Sequence, residues 1–327
     1  MQPDVSVVIV NWNTREILRN CLASVQGETK RVRLEVIVVD NASSDGSAEL
    51  VQRDFPEARL IANSENRGFA AGNNQGIAAS KGRYVLLLNS DTIVLDGAID
   101  ETVAFADAHP QAAAVGCRVL NPDRTLQPTC FMYPSVGNMV LSSTHLYRLF
   151  PRSRLLGRER MTWWERDDVR EVDVVTGCFM LVRREAIDQV GGMDEDYFMF
   201  GEETDWCWRF RRAGWRLLFT PAGQIIHLGG QSTAKVRPQM TLQLRSGILL
   251  FFRKHRPWPV YAGACLLMAL WFGLRAPFWA VRAMLKGPRA QECALLARTY
   301  AHGCWRSLRG WRALSCRLPT RHGAAES

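Results

Sequence analysis

VSVVIVN (Val5–Asn11) and LEVIVVD (Leu34–Asp40) are the stretches that decide the fold. Each is short, continuous and rich in β-branched residues, which is the pattern of a strand buried on both faces of a sheet. Between them, apolar residues recur at helical spacing, at Ile17, Leu18, Cys21, Leu22 and Val25. A helix that joins two such strands predicts a parallel βαβ unit.

The same alternation continues beyond this unit. We predict a helix at Ser47–Asp54, a strand at Ala58–Ala62, a small-residue helix at Ala70–Ser80 and a strand at Tyr84–Leu88. Repeated units of this kind predict an α/β fold with a doubly wound, mostly parallel, Rossmann-like sheet. Ligands bind such sheets beyond the carboxyl ends of the strands, where Asp40 and Asp91 fall.

The sequence from residue 121 onward is less regular. Residues 121–170 have weak periodicity and many Pro, Arg and Trp residues, which predicts a long connection. Val172–Arg183 is apolar and strand-like, and Gly191–Trp215 predicts a loop that opens a helix near Glu203. The region closes with a strand around Arg216–Thr220 and the run QIIHLGG (Gln224–Gly230).

Charge is divided unevenly along the chain, whose 327 residues carry a net charge of +9. Residues 1–234 hold 25 Lys and Arg against 30 Asp and Glu, a net of −5, whereas residues 235–327 hold 16 against 2, a net of +14. We therefore predict a front domain over 1–234 and a basic, aromatic-rich helical extension over 235–327. Such an extension needs an anionic partner, either a membrane face or a nucleic acid.

The cysteines and the N-terminus indicate the compartment. Nine cysteines are scattered and no CxxC pair occurs, which argues against a disulfide framework and a structural zinc site. The N-terminus has no basic stretch before a long apolar run, so no signal peptide is predicted. A reducing, cytoplasmic compartment fits best.

Several polar residues fall where a nucleotide would bind. Asp40 can accept hydrogen bonds from a nucleobase or a ribose hydroxyl, or it can cap the next turn. In ENRGFAAGNNQG (Glu65–Gly76), glycines recur every four residues, so they share one helix face and predict close packing on the sheet. Arg67 can reach a phosphate and Asn73 the nucleoside. The predicted nucleotide-binding set also includes Asn11, Asn89 and Ser90.

Asp91 and His227 are candidate metal ligands. A hard Mg²⁺ or Mn²⁺ ion that bridges two phosphates takes a carboxylate oxygen readily. His227 stands where a strand-like run stops before two glycines. A single histidine in that place is more often structural than a ligand.

Three carboxylates in FGEETDW are candidate general bases, namely Glu202, Glu203 and Asp205. They stand at a predicted helix start, where the positive end of the helix dipole favours ionised carboxylates. A base must be unprotonated at neutral pH, so the placement suits proton abstraction. Capping of the helix N-terminus by acidic residues is the alternative.

These segments occur in a recognisable order: SVVIVNWN, VVDNASSDGS, ENRGFAAGNNQGI, LLLNSDT, the segment from Thr176 to Trp215, and IIHLGGQST. The order resembles the family 2 glycosyltransferases, most closely their bacterial rhamnosyltransferase-like branch, over residues 4–256. The resemblance implies the GT-A fold and inverting transfer of a sugar from a nucleotide-sugar donor to a glycan or polyprenyl-linked acceptor in cell-surface polysaccharide synthesis. It favours dTDP-L-rhamnose as the donor, with a UDP-hexose or UDP-galactofuranose second.

The resemblance also implies roles for particular residues. Asp40 matches the nucleotide-contacting aspartate, Asp91 the last acid of the metal-binding DxD, Glu203 the general base and His227 the late metal ligand. Two positions depart from the family. The first DxD position is Asn89, so fewer carboxylates hold the metal, and the base position is a glutamate rather than an aspartate. The other two carboxylates of the FGEETDW motif stay open as the base.

The basic extension contains an apolar segment, residues 257–285. Its longest uncharged run, Pro257–Leu274, has 18 residues, the lower edge for a spanning helix. Pro277 and the basic flanks fit an interfacial or re-entrant helix at least as well. Aromatic and basic residues together favour an anionic membrane surface over nucleic acid. We expect a protein that is peripheral or shallowly inserted at the cytoplasmic face of the inner membrane; a homo-oligomer interface is the alternative.

Other functions fit the sequence less well. A dinucleotide-dependent oxidoreductase needs a glycine-rich turn after the first strand, where NWNTREIL stands. A nucleic-acid-binding protein would leave the acidic candidates unexplained, so no nucleic-acid partner is expected. A catalytically inactive nucleotide-sugar-binding scaffold stays open.

Overall fold

The computed structural model of the chain describes residues 2–231, 237–285 and 289–315. Within these ranges, nine strands form one mixed sheet. They are β1 (Val5–Asn11), β2 (Leu34–Asp40), β3 (Arg59–Ala62), β4 (Tyr84–Leu88), β5 (Thr92–Leu95), β6 (Ala112–Leu120), β7 (Arg170–Glu171), β8 (Phe179–Arg183) and β9 (Arg216–His227).

The strand order is β3-β2-β1-β4-β8-β6-β9-β5, with β7 paired to β9. The first four strands pair in parallel, as do β6 and β9, whereas β8 runs antiparallel between β4 and β6. The predicted α/β class with a mostly parallel sheet is therefore confirmed. Because β1, β2 and β4 are parallel, their carboxyl ends meet at one edge of the sheet.

Helices cover both faces of this sheet. Those of the front domain are α1 (Arg15–Glu28), α2 (Ser47–Asp54), α3 (Phe69–Ala79), α4 (Ala98–Ala108), α5 (Val136–Ser143), α6 (Arg184–Val190) and α7 (Glu202–Arg212). Buried side chains of α1, α2 and α4 pack in the core on one face, and those of α3, α6 and α7 in the core on the other. The predicted doubly wound arrangement follows from this division.

The glycine-rich helix α3 packs closely on β1, as predicted. A Cβ atom at Gly76 would lie 2.2 Å from Val8 Cγ1, and one at Gly72 would lie 3.0 Å from Val10 Cγ1. Gly68 precedes the helix with φ near +86°, and a Cβ there would lie 2.3 Å from the Phe198 carbonyl oxygen. The three glycines therefore let backbones approach where no side chain fits.

Two predicted strands differ from the structure. The strand expected over Val172–Arg183 is regular only as β8, because the backbone of residues 172–178 changes partner: Val172 N–H donates to Leu217 and Val174 N–H donates to Phe131. The two runs predicted after residue 215 form one strand, β9, which is irregular opposite Cys117.

The basic extension is helical, as predicted. Its helices are α8 (Arg237–His255), α9 (Trp258–Gly273), α10 (Ala276–Met284), α11 (Ala290–Leu308) and α12 (Trp311–Leu314). Helices α8, α9, α11 and α12 share a separate apolar core that also takes in Met139 of α5, whereas α10 has no buried residue. One helical stretch in the described residues, Trp258–Met284, is long and apolar enough to cross a membrane by length and composition, with a mean hydropathy of 1.6. It is interrupted between α9 and α10.

Candidate active site

A cavity of about 330 Å³ opens at the carboxyl edge of the sheet. Its wall brings together residues that are far apart in sequence. Seven of the predicted site residues line it: Asn11, Asn89, Ser90, Asp91, Glu202, Glu203 and His227. The other four, Asp40, Arg67, Asn73 and Asp205, are not part of this lining.

A buried polar network joins the ends of β1, β2 and β4. Asn11 lies opposite Asp40 in the sheet register and donates to its Oδ1 at 3.0 Å. The backbone N–H of Ser43 donates to Asp40 Oδ2 at 2.9 Å. Thr14 donates to Asn11 Oδ1 at 2.6 Å and lies 3.1 Å from Ser90 Oγ. Asp40 therefore fixes the Asn11 amide at the cavity wall, and its predicted contact with the nucleotide stays a prediction.

The two residues predicted from the glycine-rich segment take different places. Arg67 is exposed outside the cavity lining. Asn73 is buried in α3 and donates to the Phe69 carbonyl oxygen at 2.9 Å. Asn66, which is not among the predicted site residues, lines the cavity, whereas Arg67 and Asn73 do not.

Asp91 and His227 face each other on the cavity wall. Asp91 Oδ1 lies 3.2 Å from His227 Nε2. The adjoining ladder fixes this approach, because Thr92 pairs with His227 and Leu228 N–H donates to the Asp91 carbonyl oxygen at 2.9 Å. The strand ends therefore bring these two predicted metal ligands together.

Gln127 determines which nitrogen of His227 carries the proton. Its Nε2 donates to Asn121 Oδ1 at 2.9 Å and to the His227 carbonyl oxygen at 3.1 Å, which orients its Oε1 toward His227 Nδ1 at 2.7 Å. Nδ1–H must then donate, so in the neutral ring Nε2 presents a lone pair toward Asp91. A carboxylate oxygen and an imidazole lone pair at this distance suit a shared divalent cation.

Asn89 completes this wall. Its Nδ2 lies 3.2 Å from His227 Nε2, and its Oδ1 is a buried oxygen without a hydrogen-bond partner in the described structure. Amide oxygens are ligands for hard divalent ions. The described residues hold no group of three His, Cys, Asp or Glu side chains that could bind a metal ion, so a divalent metal here would be held by Asp91 and His227 with the Asn89 amide oxygen beside them.

Glu202 and Glu203 open α7 beside the cavity. Burial raises the pKa of Glu202 well above its ordinary value, and the neighbouring Glu203 raises it further. Burial also raises the pKa of Glu203, against the hydrogen bond that its carboxylate accepts from Gly201 N–H at 3.2 Å. Glu202 Oε2 is buried without a partner in the described residues. Both carboxylates thus hold protons more tightly than a surface glutamate does.

Asp205 lies one turn further along α7 and faces away from the cavity lining. His255 Nε2 lies 2.7 Å from its Oδ1, and Arg209 Nε lies 2.7 Å from its Oδ2. Burial would raise the pKa of Asp205, but these two partners outweigh it and hold the pKa below its ordinary value. The structure gives Asp205 a partner on each oxygen, in contrast to Glu202.

Part of the cavity wall has no counterpart in the sequence analysis. Trp12 and Asn41 follow β1 and β2, and Gln127 to Phe131 and Thr176 to Cys178 form the opposite side. Asn41 Nδ2 donates to the Gly68 carbonyl oxygen at 2.9 Å. Trp12 and Asn41 stand at strand ends, and the same position in the sequence predicted Asp40 as a site residue. Gln127 to Phe131 lies in the stretch with weak periodicity, and Thr176 to Cys178 falls inside the run predicted as a strand, so neither segment was predicted to line a site.

Comparisons with known proteins agree with this architecture. Residues 6–191 match the family described as Glycosyl transferase family 2. The chain is 30% identical over 242 residues to N-acetylglucosaminyl-diphospho-decaprenol L-rhamnosyltransferase of Mycobacterium tuberculosis, with 70% of this chain and 77% of that protein covered. It is 26% identical over 283 residues to the O-antigen biosynthesis protein RfbC of Myxococcus xanthus, which covers 84% of this chain and 21% of that protein.

A solved structure has the same fold. The mannosyltransferase PcManGT from Pyrobaculum calidifontis, in complex with GDP-Man and Mn²⁺, is similar with a TM-score of 0.55. The similarity covers 94% of this chain and 88% of that chain at 17% sequence identity. The extension as well as the front domain therefore falls within the shared architecture.

Proposed function

This chain belongs to glycosyl transferase family 2 and is a glycosyltransferase, and we propose that it transfers a sugar with inversion from a nucleotide diphosphate donor to an acceptor hydroxyl. The observation that carries the proposal is the shared cavity, which holds Asp91 and His227 as a facing pair, Glu202 as a buried carboxylate and Glu203 as a half-buried one. One part suits a metal-bound diphosphate, and the other suits removal of the acceptor proton.

The diphosphate end of the donor binds at the Asp91 and His227 wall. A divalent ion, Mn²⁺ or Mg²⁺, would supply positive charge to the leaving diphosphate there. The metal in the solved mannosyltransferase structure supports the use of such an ion in this fold. Asn89 and Ser90 lie beside the pair and complete the polar wall. Asn11 lies at the end of β1, where its hydrogen bond to Asp40 orients its side chain for contact with the nucleoside.

Proton removal falls to the FGEETDW carboxylates. Glu203 lines the cavity, where its carboxylate can accept the proton from the acceptor hydroxyl, and Gly201 N–H donates to its Oε2 at 3.2 Å. Direct displacement needs one such base and no covalent sugar–enzyme intermediate. Glu202 lines the same cavity and is the alternative base. Asp205, ion-paired outside the lining, is the weakest of the three candidates.

For the donor, we propose dTDP-L-rhamnose first. The support is the rhamnosyltransferase relative at 30% identity, whose name also gives a diphospho-decaprenol acceptor. The same relative supports our proposal that the acceptor is a glycan or a polyprenyl-linked glycan of cell-surface polysaccharide synthesis. A UDP-hexose or UDP-galactofuranose donor is the second choice.

The extension holds the enzyme at the cytoplasmic face of the inner membrane. Large apolar side chains along α9 and α10 are exposed, among them Leu270, Leu274 and Phe278. The two short helices, broken at Leu274–Arg275, suit a shallow interfacial position, with their basic neighbours toward anionic headgroups. A homo-oligomer that buries the same side chains is the alternative outcome of a membrane-binding test.

The experiment that tests the function is a panel of nucleotide sugars with and without Mn²⁺. Thermal stabilisation by one donor, followed by transfer to a polyprenyl-linked acceptor, identifies the substrate. Nuclear magnetic resonance of the new linkage reports the anomeric configuration. Stabilisation without transfer from any donor would indicate an inactive nucleotide-sugar-binding scaffold, and retention of configuration would overturn the inverting mechanism.

A further inference from the structure

Four arginines converge on two aromatic rings outside the cavity. Arg148 and Arg160 have their guanidinium carbons 5.9 Å and 5.4 Å from the centre of the Tyr147 ring. Arg245 of α8 and Arg275 lie 4.2 Å and 4.3 Å from the centre of the Trp271 ring. Arg275 also donates to the Ser143 carbonyl oxygen at 2.7 Å, which ties the junction of α9 and α10 to the last residue of α5. We call these residues the arginine cluster.

The arginine cluster has an excess of positive charge. Burial lowers the pKa of the nearby His145, and the charges of Arg275, Arg148, Arg160 and Arg245 lower it further, so all four guanidinium groups act on one point. The cluster's acidic neighbour is Glu159, whose pKa burial raises in spite of Arg160 and Arg245. One carboxylate beside Arg160 and Arg245 offsets only part of the positive charge of the four guanidinium groups.

One donor in the arginine cluster lacks an acceptor. Arg245 Nε is buried, and it has no hydrogen-bond partner in the part of the chain that the structure describes. Burial lowers the pKa of Arg245, so keeping its guanidinium group charged at this position costs free energy. An unpaired buried donor on a charged group is costly. An anion that accepts from Arg245 would remove that cost.

An apolar surface borders the arginine cluster. Leu274, next to Arg275, is 76% exposed, and Leu149, next to Arg148, is 73% exposed. Phe150 and Leu270, on the same two segments as Leu149 and Leu274, are exposed as well. A ligand that binds here therefore meets guanidinium groups at one end and apolar side chains beside them. That chemistry is amphiphilic: a phosphorylated group attached to a hydrocarbon chain.

From this arrangement we infer that the arginine cluster binds the diphosphate of a polyprenyl-linked acceptor, with the prenyl chain on the bordering apolar surface. The inference rests on the proposed function, since it assigns a subsite to the acceptor. Guanidinium groups bind phosphate oxygens in a bidentate way, and several of them match the charge of a diphosphate better than that of a single phosphate. The phosphate of an ordinary membrane lipid is the competing occupant.

Helix α8 connects the arginine cluster to the cavity. Gln243 Nε2 donates to the Met199 carbonyl oxygen at 3.3 Å, and a Cβ at Gly247 would lie 2.1 Å from the Phe200 carbonyl oxygen. Met199 and Phe200 line the cavity. Arg245 falls between these two contacts and so projects from the other side of α8, about 10 Å across the helix. The arginine cluster and the cavity wall therefore lie on opposite sides of the same helix.

The test measures binding of farnesyl diphosphate, a soluble short-chain probe, to the full chain in phosphatidylcholine nanodiscs by calorimetry. Arg148→Gln/Arg160→Gln removes two exposed charges of the cluster, and Arg152→Gln/Arg158→Gln removes two exposed charges of the same segment as a matched control. We expect the first variant to bind at least about 10-fold more weakly and the control to stay within about twofold, since charge-assisted hydrogen bonds are the strong ones. Equal loss in both variants would overturn the subsite, because it would show diffuse attraction only.

Three further probes separate the possible occupants. Inorganic pyrophosphate and farnesol should each bind at least about 10-fold more weakly than farnesyl diphosphate, since each carries half of the recognised chemistry. Phosphatidylglycerol in the nanodisc should not displace the probe; displacement in proportion to its content would assign the arginine cluster to lipid headgroups. Arg245→Gln should weaken binding as well, and if that variant unfolds, the exposed double variant still decides.

Two controls distinguish this inference from the proposed function. Saturating dTDP and the variant Asp91→Asn should leave farnesyl diphosphate binding unchanged, and displacement by dTDP would place the probe in the donor cavity and overturn the subsite. If no nucleoside diphosphate binds while farnesyl diphosphate binds at the arginine cluster, the transferase proposal fails and the subsite stands. If nucleotides bind and the probe does not, the reverse holds.

Discussion

His255 of α8 lies with Nε2 2.7 Å from Asp205 Oδ1 on α7, which joins the basic extension to the front domain through a buried carboxylate. Asp205 is also paired with Arg209 at 2.7 Å. A carboxylate held this way stabilises the junction between the two parts of the chain.

Asp205→Asn should therefore lower stability more than it lowers turnover. Breaking one side of a buried ion pair costs about 3 kcal/mol, to be measured by urea unfolding. The folded-state pKa of Asp205 is lowered, so its contribution is complete above the unfolded value of about 3.9 and is lost as the pH falls further through the folded pKa. The stability difference between wild type and variant should thus shrink below about pH 4. A stable but inactive Asp205→Asn would instead make Asp205 the base.

Glu203→Gln should keep donor binding and lose turnover. The amide preserves size but cannot accept the proton, so kcat should fall by about 10²–10⁴ with little change in nucleotide affinity. Because burial raises the pKa of Glu203, wild-type kcat should decline, as the pH falls, through an ionisation above the ordinary glutamate value of about 4.3. Glu202→Gln is the matched control, and the base assignment moves to Glu202 if only that variant is dead.

Gln127→Leu should weaken the metal site without removing a ligand. The side chain that holds the His227 tautomer is lost, and such supporting partners are typically worth about 10- to 100-fold in metal affinity. Asp91→Ala removes a proposed ligand and should abolish the metal-dependent part of nucleotide affinity. Manganese binding followed by electron paramagnetic resonance checks both variants without any turnover. Full activity in excess EDTA would show that no metal is needed.

Gly76→Ala should destabilise the front domain. The new methyl group would lie 2.2 Å from Val8 Cγ1 in β1, so α3 or the strand must shift. Overpacking of this kind costs about 1–3 kcal/mol, to be read from urea unfolding. Gly27→Ala in α1, where nothing lies within 4 Å, is the matched control and should stabilise slightly. Equal effects at both positions would contradict the close approach of α3 and β1.

Leu270→Ser/Leu274→Ser/Phe278→Ser should release the protein from anionic liposomes. These exposed side chains lie on α9, on α10 and at the junction between them, outside the apolar core, so their replacement leaves the core of the extension intact, unlike a truncation after His255. Val169→Ser, an exposed apolar residue of the front domain, controls for general loss of hydrophobic surface. Flotation assays measure the change. A wild-type protein that ignores anionic liposomes and forms a stable dimer would support the oligomer alternative.

The sequence was informative where structure is local. β1, β2 and β4 begin and end where their apolar runs do, and the polar residues after them reach the cavity because parallel strands share an edge. Asp91 and His227 could be paired only through the resemblance, since β5 and β9 meet across a long stretch of chain. Local periodicity carries no information on such a pairing.

The rest depends on contacts that a linear pattern does not record. Gln127 reaches His227 from an irregular segment, and no property of a glutamine marks it as a partner in advance. Arg67 and Asn73 were predicted to bind the nucleotide because they lie near glycines. Arg67 is exposed, and the Asn73 side chain donates to the Phe69 carbonyl oxygen of its own helix. The arginines of residues 148–160 lie in a stretch with weak periodicity, and the sequence did not predict a cluster there. Contacts with Tyr147 and with arginines distant in sequence bring them together.

The ladder between β5 and β9 has a consequence for how this site can vary. Thr92 pairs with His227, and side chains alternate between faces along a strand, so inserting one residue between Gln224 and His227 would turn the imidazole to the opposite face. Asp91 would then face a residue with no ring nitrogen. A one-residue insertion or deletion in this stretch therefore separates Asp91 from His227 completely. Changes of this kind remove the proposed ligand pair and do not weaken it by degrees.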